Sequence, residues 1–330
     1  MLRIYTKDQT HLVRAVSDGI SNVTGLENAV WYDLVDPTDD EELFVERCLG
    51  VSVPTRDEMK DIEPSARLFH EGGTEFLTLT ALVNIQEENP MKTPVTFVLR
   101  ESTLVTVRYA EPLPFTLFGS RVTKPNGRIY ANGELVMVGL LEALIDRLAQ
   151  VLENTGDEID TISREVFRNR TKSSTRKAHN LQHLIEKIGQ KGDMLTLAKE
   201  SLISILRLAT FHQTKDTSNT KAARELRNEF KVLQRDASAL SEHAGYLSTK
   251  INFLLDATLG LINLEQNQII KIFSVASVVF LPPTLVASMY GMNFRVMPEL
   301  EWQLGYPLAL AAMVLSAILP YLFFKRKGWL

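Results

Sequence analysis

The sequence predicts an α/β domain at the front, long helices including a stalk helix behind it, and two transmembrane helices at the C-terminal end. Three observations carry this reading. Eight of the thirteen prolines precede Asn126 and none lies between there and Leu281, which separates short runs and turns from long helices. An apolar stripe with alternating steps of four and three residues runs along the last long segment before the hydrophobic end. Finally, residues 272–294 and 302–324 form two stretches of 23 residues without a formal charge, each long enough to cross a bilayer as a helix.

Residues 1–130 read as the α/β domain. Runs rich in β-branched and apolar residues at 30–35, 76–83, 95–99 and 104–108 alternate there with Gly, Pro and acidic segments. Residues 39–49 and 55–67 read as helices between those strands, and the first opens on an acidic turn that suits the positive end of a helix dipole. The first eight residues are polar and mixed, unlike a signal peptide. Over 131–216 two long helices, 134–169 and 175–211, flank a polar, basic turn and form an antiparallel pair. The stalk helix, 217–271, begins near Ser218 and shows no break before Pro282 and Pro283, so it runs on into the first span. At 1.5 Å per residue it measures roughly 100 Å.

A short outer loop, 295–301, carries Arg295, Glu299 and Glu301, and 302–324 is the second span. The tail, 325–330, opens on Lys325-Arg326-Lys327, which the positive-inside rule assigns to the cytoplasm. Two crossings return the chain to its starting side, so both termini are expected in the cytoplasm. A net charge of -4 argues against a nucleic-acid partner. The single cysteine, Cys48, cannot staple a domain and reads as a small buried apolar residue.

The apolar stripe of the stalk consists of Leu226, Phe230, Leu233, Ala237, Leu240, Ala244, Leu247, Ile251, Leu254, Thr258 and Leu261, and reads as a packing seam. A second stripe lies two residues out of phase, about 200° round the helix. It runs through Asp256, Gly260, Asn263, Asn267, Ile270, Ser274, Ser277, Leu281, Thr284 and Ser288, small or polar for much of its length, and continues into the hydrophobic segment. Such a face requires water or another helix. One helix cannot enclose water, so a pore needs several copies in a symmetric ring.

Tyr290-Gly291-Met292-Asn293-Phe294, followed by Met297-Pro298-Glu299-Leu300 and Gly305-Tyr306-Pro307, resembles the signature of the CorA magnesium transporter family. Glu265-Gln266-Asn267, the Pro282-Pro283 kink and the end Lys325-Arg326-Lys327-Gly328-Trp329-Leu330 share the likeness. The resemblance implies a homopentameric funnel in the cell inner (plasma) membrane, a channel for magnesium that also admits cobalt and nickel. It implies a selectivity filter at Gly291, Met292 and Asn293, a pore-lining Asn267, an acidic inner mouth at Asp256, and apolar constrictions at Ile270, Phe273 and Leu281. Glu299 and Glu301 resemble the family's acidic outer loop. Divalent ions bound to the cytoplasmic domain are implied to close the channel, with Glu87, Glu88 and Asp236 as ligands, so magnesium is both cargo and regulator. Asp36, Asp39, Asp40, Glu41, Glu42 and Glu46 form a further acidic set of the same kind.

Physically, magnesium dehydrates reluctantly, and a ring of amide oxygens recognises the hydrated ion without trapping it. Gly291 permits a backbone geometry that other residues resist. The plainer alternative is a helix C-cap made by Gly and Asn. Asp256 on a merely solvated helix face is likewise the plain alternative to a pore mouth. His179 and His183 have i, i+4 spacing suited to zinc but lack an evident third ligand. Without a phosphate loop, a nucleophile elbow or paired cysteines, no enzyme chemistry or organic cofactor is indicated, and passive conduction is the economical mechanism. A divalent ion gains about 4.6 kcal/mol from 100 mV. Two other readings stay open: a zinc transporter of the same architecture, against which Met292 weighs, and a membrane-anchored sensor without a pore.

Overall fold

A computed structural model describes residues 1–8, 11–15, 28–61, 63–85, 90–125, 127–168, 174–213, 220–292, 297–298 and 302–329. They fall into two compact units, Met1–Thr171 with His183–Leu254, and Lys172–Gln182 with Leu255–Leu330.

The first unit is built on strands β1 (Leu2–Lys7), β2 (Leu12–Ala15), β3 (Ala29–Val35), β4 (Leu68–Glu71), β5 (Thr74–Val83), β6 (Met91–Arg100) and β7 (Thr103–Arg108). They make one seven-stranded sheet in the order β2-β1-β3-β7-β6-β5-β4. The neighbours β3 and β7 run parallel and every other pair is antiparallel. Gly72 and Gly73, at φ 56° and 82°, form the two-residue turn joining β4 to β5, a conformation that favours glycine.

The parallel pair is locked by a buried ion pair. Arg108 on β7 donates from Nε to Asp33 Oδ1 at 3.0 Å and from Nη2 to Oδ2 at 2.8 Å, with both side chains at 1% exposure or less. Thr106 donates its hydroxyl to the same Oδ1 at 2.8 Å and accepts the Trp31 indole N–H at 2.9 Å. Trp31 stacks on Tyr5 of β1 with centroids 4.3 Å apart, and the Arg108 guanidinium lies 4.8 Å from the ring of Phe115. Phe115 belongs to helix α3 (Leu113–Val122), so one polar cluster ties three strands to a helix.

Proline placement explains several differences from the sequence reading. Residues 55–67 do not form one helix. Only a 3₁₀ turn, Glu58–Lys60, and the four-residue α2 (Pro64–Arg67) form there, because proline disfavours helical geometry in the residue before it. Helix α3, absent from the sequence reading, has prolines at its first turn, where the missing N–H costs nothing. Pro94 sits inside β6, opposite Thr80. Thr80 turns its main chain away from β6: its N–H donates to Ser204 Oγ at 3.0 Å and its carbonyl accepts from Ser201 Oγ at 2.6 Å. Pro94 therefore faces the β7 side, where pairing begins only at Val95, and no ladder bond is lost.

Helix α1 (Asp39–Leu49) opens on a capping box of Thr38 and Glu41. Glu41 accepts from the Met1 amino group at 2.6 Å, the Leu2 N–H at 2.8 Å and the Thr38 N–H at 3.0 Å. Glu46 accepts from the Val53 N–H at 2.9 Å. These two acidic side chains, candidates for metal binding in the sequence, thus hold main chain instead. Cys48 is exposed rather than buried.

Helices α4 (Gly133–Arg168), α5 (Ser174–Gln213) and α6 (Lys221–Tyr290) follow. The seam of α6 is its covered side: Phe230, Leu233, Ala237, Ala244, Leu247, Ile251 and Leu254 are all buried. Leu247 packs over Gly156 of α4 and Ile251 over Gly192 of α5, at a spacing where a Cβ on either glycine would make an ordinary contact with the branched side chain. Lys250 of α6 pairs with Asp160 of α4, and buried His212 Nδ1 of α5 lies 2.7 Å from Glu75 Oε2 of β5. Among the described residues, α6 and α7 (Gly305–Arg326) are the two helices long and apolar enough to cross a membrane.

Asp33→Ala removes the bidentate partner of buried Arg108 and leaves it only the Glu111 carboxylate, 3.9 Å away, at an expected cost of about 3 kcal/mol. The denaturation midpoint of the full chain in detergent measures it, and an unchanged midpoint contradicts the role given to the pair. Burial alone raises the Glu41 carboxyl, but hydrogen bonds from the Met1 amino group, Thr38 and Leu2 outweigh it and hold the group below its ordinary range. Its stabilising effect is therefore present above that range and lost as the pH falls through the folded value. Glu41→Gln is expected to flatten the acid limb of the stability profile below about pH 4.5, close to the ordinary Glu value.

Candidate functional site

The candidate path lies on α6 within the second unit. Asp256, Asn263, Asn267, Ile270, Phe273, Ser274, Ser277, Leu281, Thr284 and Ser288 are all exposed along one side of this helix. The apolar ones among them stand out: Ile270 is 61%, Phe273 70% and Leu281 64% exposed. The covered positions lie elsewhere. Val275 is buried and Val279 and Val286 are half-buried, roughly 160–180° round the helix from Ser277. The face carrying amides and hydroxyls is thus uncovered in a single chain, as is most of this stretch, since Leu264 at 66%, Ile272 at 51% and Met289 at 56% lie on other sides of the helix.

Two of the hydroxyls on that face have their protons engaged. Ser277 donates to the Phe273 carbonyl at 3.0 Å, and Thr284 to the carbonyls of Phe280 at 3.0 Å and Leu281 at 2.8 Å. A hydroxyl bonded back to its own helix keeps lone pairs for a partner and has no proton left to offer. Such groups accept hydrogen bonds from water, including water held by a cation.

Pro282 and Pro283 neither end nor interrupt α6, which continues to Tyr290. Having no N–H, they leave the Val278 and Val279 carbonyls without their usual helical donors. Gly291 continues the pattern for one residue, its N–H donating to the Ala287 carbonyl at 3.0 Å, while Met292 N–H reaches Met289 at 3.4 Å. Gly291 is not among the residues with positive φ, so the left-handed helix cap does not form at this residue. A Cβ there would come within 3.1 Å of the Ala287 carbonyl oxygen, a tight contact that favours glycine and that a shift of a few tenths of an ångström would relieve. Met292 is half exposed, at 51%. Asn293, Glu299 and Glu301 lie outside the described residues.

At the other end of the path Asp256 is exposed. Near the start of the apolar stretch the Lys271 ammonium lies 5.9 Å from the ring centroid of Trp329, which follows α7. The two apolar helices therefore run in opposite directions and bring the chain back to one level.

Among the described residues no group of three His, Cys, Asp or Glu is placed to hold a metal ion. Asp236 is exposed on α6 in the first unit, and Glu87 and Glu88 lie outside the described residues. His183 lies 3.8 Å from Glu186, its i+3 neighbour, and the His179 side chain lies outside the description.

Comparison with known proteins bears on both units. Residues 27–326 match the family model of the CorA-like Mg2+ transporter protein. The magnesium transport protein CorA of Escherichia coli K12 is 39% identical over 306 residues, 92% of this chain and 93% of that protein. The magnesium transport protein CorA of Salmonella typhimurium is 37% identical over 331 residues and all of both chains. Among solved structures, the complete CorA magnesium transporter of Methanocaldococcus jannaschii superposes with a TM-score of 0.77 at 19% identity, covering 100% of this chain and 99% of that one.

Proposed function

The chain belongs to the CorA-like Mg2+ transporter family, and from that premise we propose that it forms a channel admitting magnesium across the cell inner (plasma) membrane. The observation that carries the reading is the uncovered stripe on α6, polar where the helix is otherwise fit for lipid. Copies of this chain arranged in a ring, five by family resemblance, turn those faces inward and enclose water that no single helix can hold. Both termini then lie in the cytoplasm, and no organic cofactor takes part.

In this reading the hydrated ion meets the ring at Gly291, Met292 and Asn293 first. Amide and main-chain oxygens accept hydrogen bonds from its water shell, which magnesium gives up reluctantly. Glu299 and Glu301 raise the local cation concentration outside, and the Asp256 ring does so inside. Ser277 and Thr284 continue the run of acceptors, while Ile270, Phe273 and Leu281 form apolar collars at which dewetting can stop the ions. Cobalt and nickel, divalent ions of similar hydrated size, follow the same path. Control by divalent ions at Glu87, Glu88 and Asp236 belongs to the assembled ring, where carboxylates of neighbouring subunits can share an ion. The zinc alternative loses ground to the magnesium names of the two relatives and to Met292, and the sensor alternative leaves the membrane stripe unexplained.

Asn293→Ala is expected to abolish magnesium uptake while cross-linking still recovers the assembly, and uptake at the parent rate would remove the proposed filter. Thr284→Val keeps the shape of the side chain and deletes its acceptor. Magnesium flux into liposomes carrying only the purified variant should fall several-fold, with Thr284→Ser close to the parent. The parent protein failing to conduct under any magnesium gradient would favour the sensor.

A further inference from the structure

Within the first unit, β4 pairs with β5 only as far as Leu77, so from Thr78 onward β5 has no strand on that side. Helix α5 covers part of this edge through Ser201 and Ser204. Between the end of β4 and α5 remains a cavity of about 550 Å³, the size of a small-molecule site. Its charged lining is Lys60, Arg67, Lys92 and Arg207 against the single carboxylate of Glu200, an excess of three positive charges.

The four cations differ in what they already hold. Lys60 pairs with Asp57 at 2.9 Å and Lys92 with Glu200 at 2.8 Å, all exposed surface contacts of little strength. Arg67 is fixed without a carboxylate: Nε donates to the Asp61 carbonyl at 2.6 Å and Nη1 to Thr80 Oγ1 at 3.3 Å. Arg207 is exposed and has no ion pair among the described residues. Two guanidinium groups without anionic partners among the described residues thus line one concave site, and their planar forks match phosphate oxygens. Leu68, Pro94 and Ile203 add an apolar wall suited to the organic part of a ligand.

We propose that this cavity is a binding site for a di- or triphosphate anion, inorganic or carried on a small organic group. The inference is independent of the ion path on α6. The lining keeps an excess of two positive charges even with Asp57 set against Lys60, which favours a polyphosphate over a monophosphate, and Arg67, already held by two hydrogen bonds, presents its remaining donors at little entropic cost.

Calorimetric titration of the full chain in detergent tests it, with EDTA present so that chelation of metal by the ligand does not intrude. The probes are ATP, sodium pyrophosphate, orthophosphate and citrate. Saturable binding of ATP and pyrophosphate is expected, with orthophosphate and citrate at least tenfold weaker. Pyrophosphate as tight as ATP identifies the phosphate chain as the recognised part. Arg207→Ala with Lys92→Ala removes exposed charges and should weaken binding at least tenfold without moving the melting temperature, as should Arg207→Ala alone to a lesser degree. Lys231→Ala, an exposed charge on α6, should leave binding unchanged. No saturable binding of either polyphosphate at millimolar concentration, equal affinity for citrate, or affinity unmoved by the cavity variants overturns the proposal.

Discussion

A hydroxyl or amide placed in hydrocarbon without a partner is costly, and α6 carries a line of such groups through its apolar stretch. That cost divides the helix into two working faces. Along the first unit, the seam from Phe230 to Leu254 finds its partners within the chain, against Gly156 of α4 and Gly192 of α5. Along the second unit, the stripe that includes Ser277 and Thr284 does not. Those two hydroxyls give their protons to their own helix, which lessens the cost without removing it, since the lone pairs remain. The amides of Asn263 and Asn267 stay exposed. Assembly around water is the arrangement in which both faces are satisfied by one straight run of sequence.

The sheet solves a related problem by a different route. A parallel pair such as β3 and β7 cannot be joined by a tight turn, so its register must be fixed by side chains. Asp33 and Arg108 fix it, and each of their charged atoms has a hydrogen-bonding partner in Thr106, in the Ala110 carbonyl or in the other. Replacing the pair by apolar residues of equal volume could be as stable. The bidentate geometry specifies one register of β3 against β7, and with it the position of α3 through Phe115.

What was legible in the sequence follows from which residues carry the pattern. β3, β5, β6 and β7 are marked by runs of Val, Leu, Phe and Thr, and the α6 seam by unbroken steps of four and three over many turns. β1 is hidden because Arg3, Thr6 and Lys7 dilute its two buried residues, which are covered from far along the chain, Tyr5 by Trp31 and Ile4 by the cluster that holds Tyr32, Leu34 and Val45. Helix α3 is hidden by prolines that break helices elsewhere and start one here. Thr38-x-x-Glu41 has the spacing of a capping box, but the acidic residues around it equally suit metal binding. The stripe on α6 was legible because it is periodic. The cationic cavity was not, since Lys60, Arg67, Lys92 and Arg207 come from segments far apart in sequence and meet only after β5 is left with an open edge.

That open edge also has a history in time. The hydroxyls that satisfy the Thr80 main chain belong to Ser201 and Ser204, which are 121 and 124 residues further along the chain. At ribosomal rates of about 5–20 residues per second, roughly 6–25 s separate the emergence of the strand from that of its cover. Over that interval β5 presents unpaired main-chain groups beside other nascent chains, the situation in which strands pair with the wrong neighbour. Premature termination before α5 would leave the edge bare for good, so truncated products of this chain should aggregate where the complete chain does not.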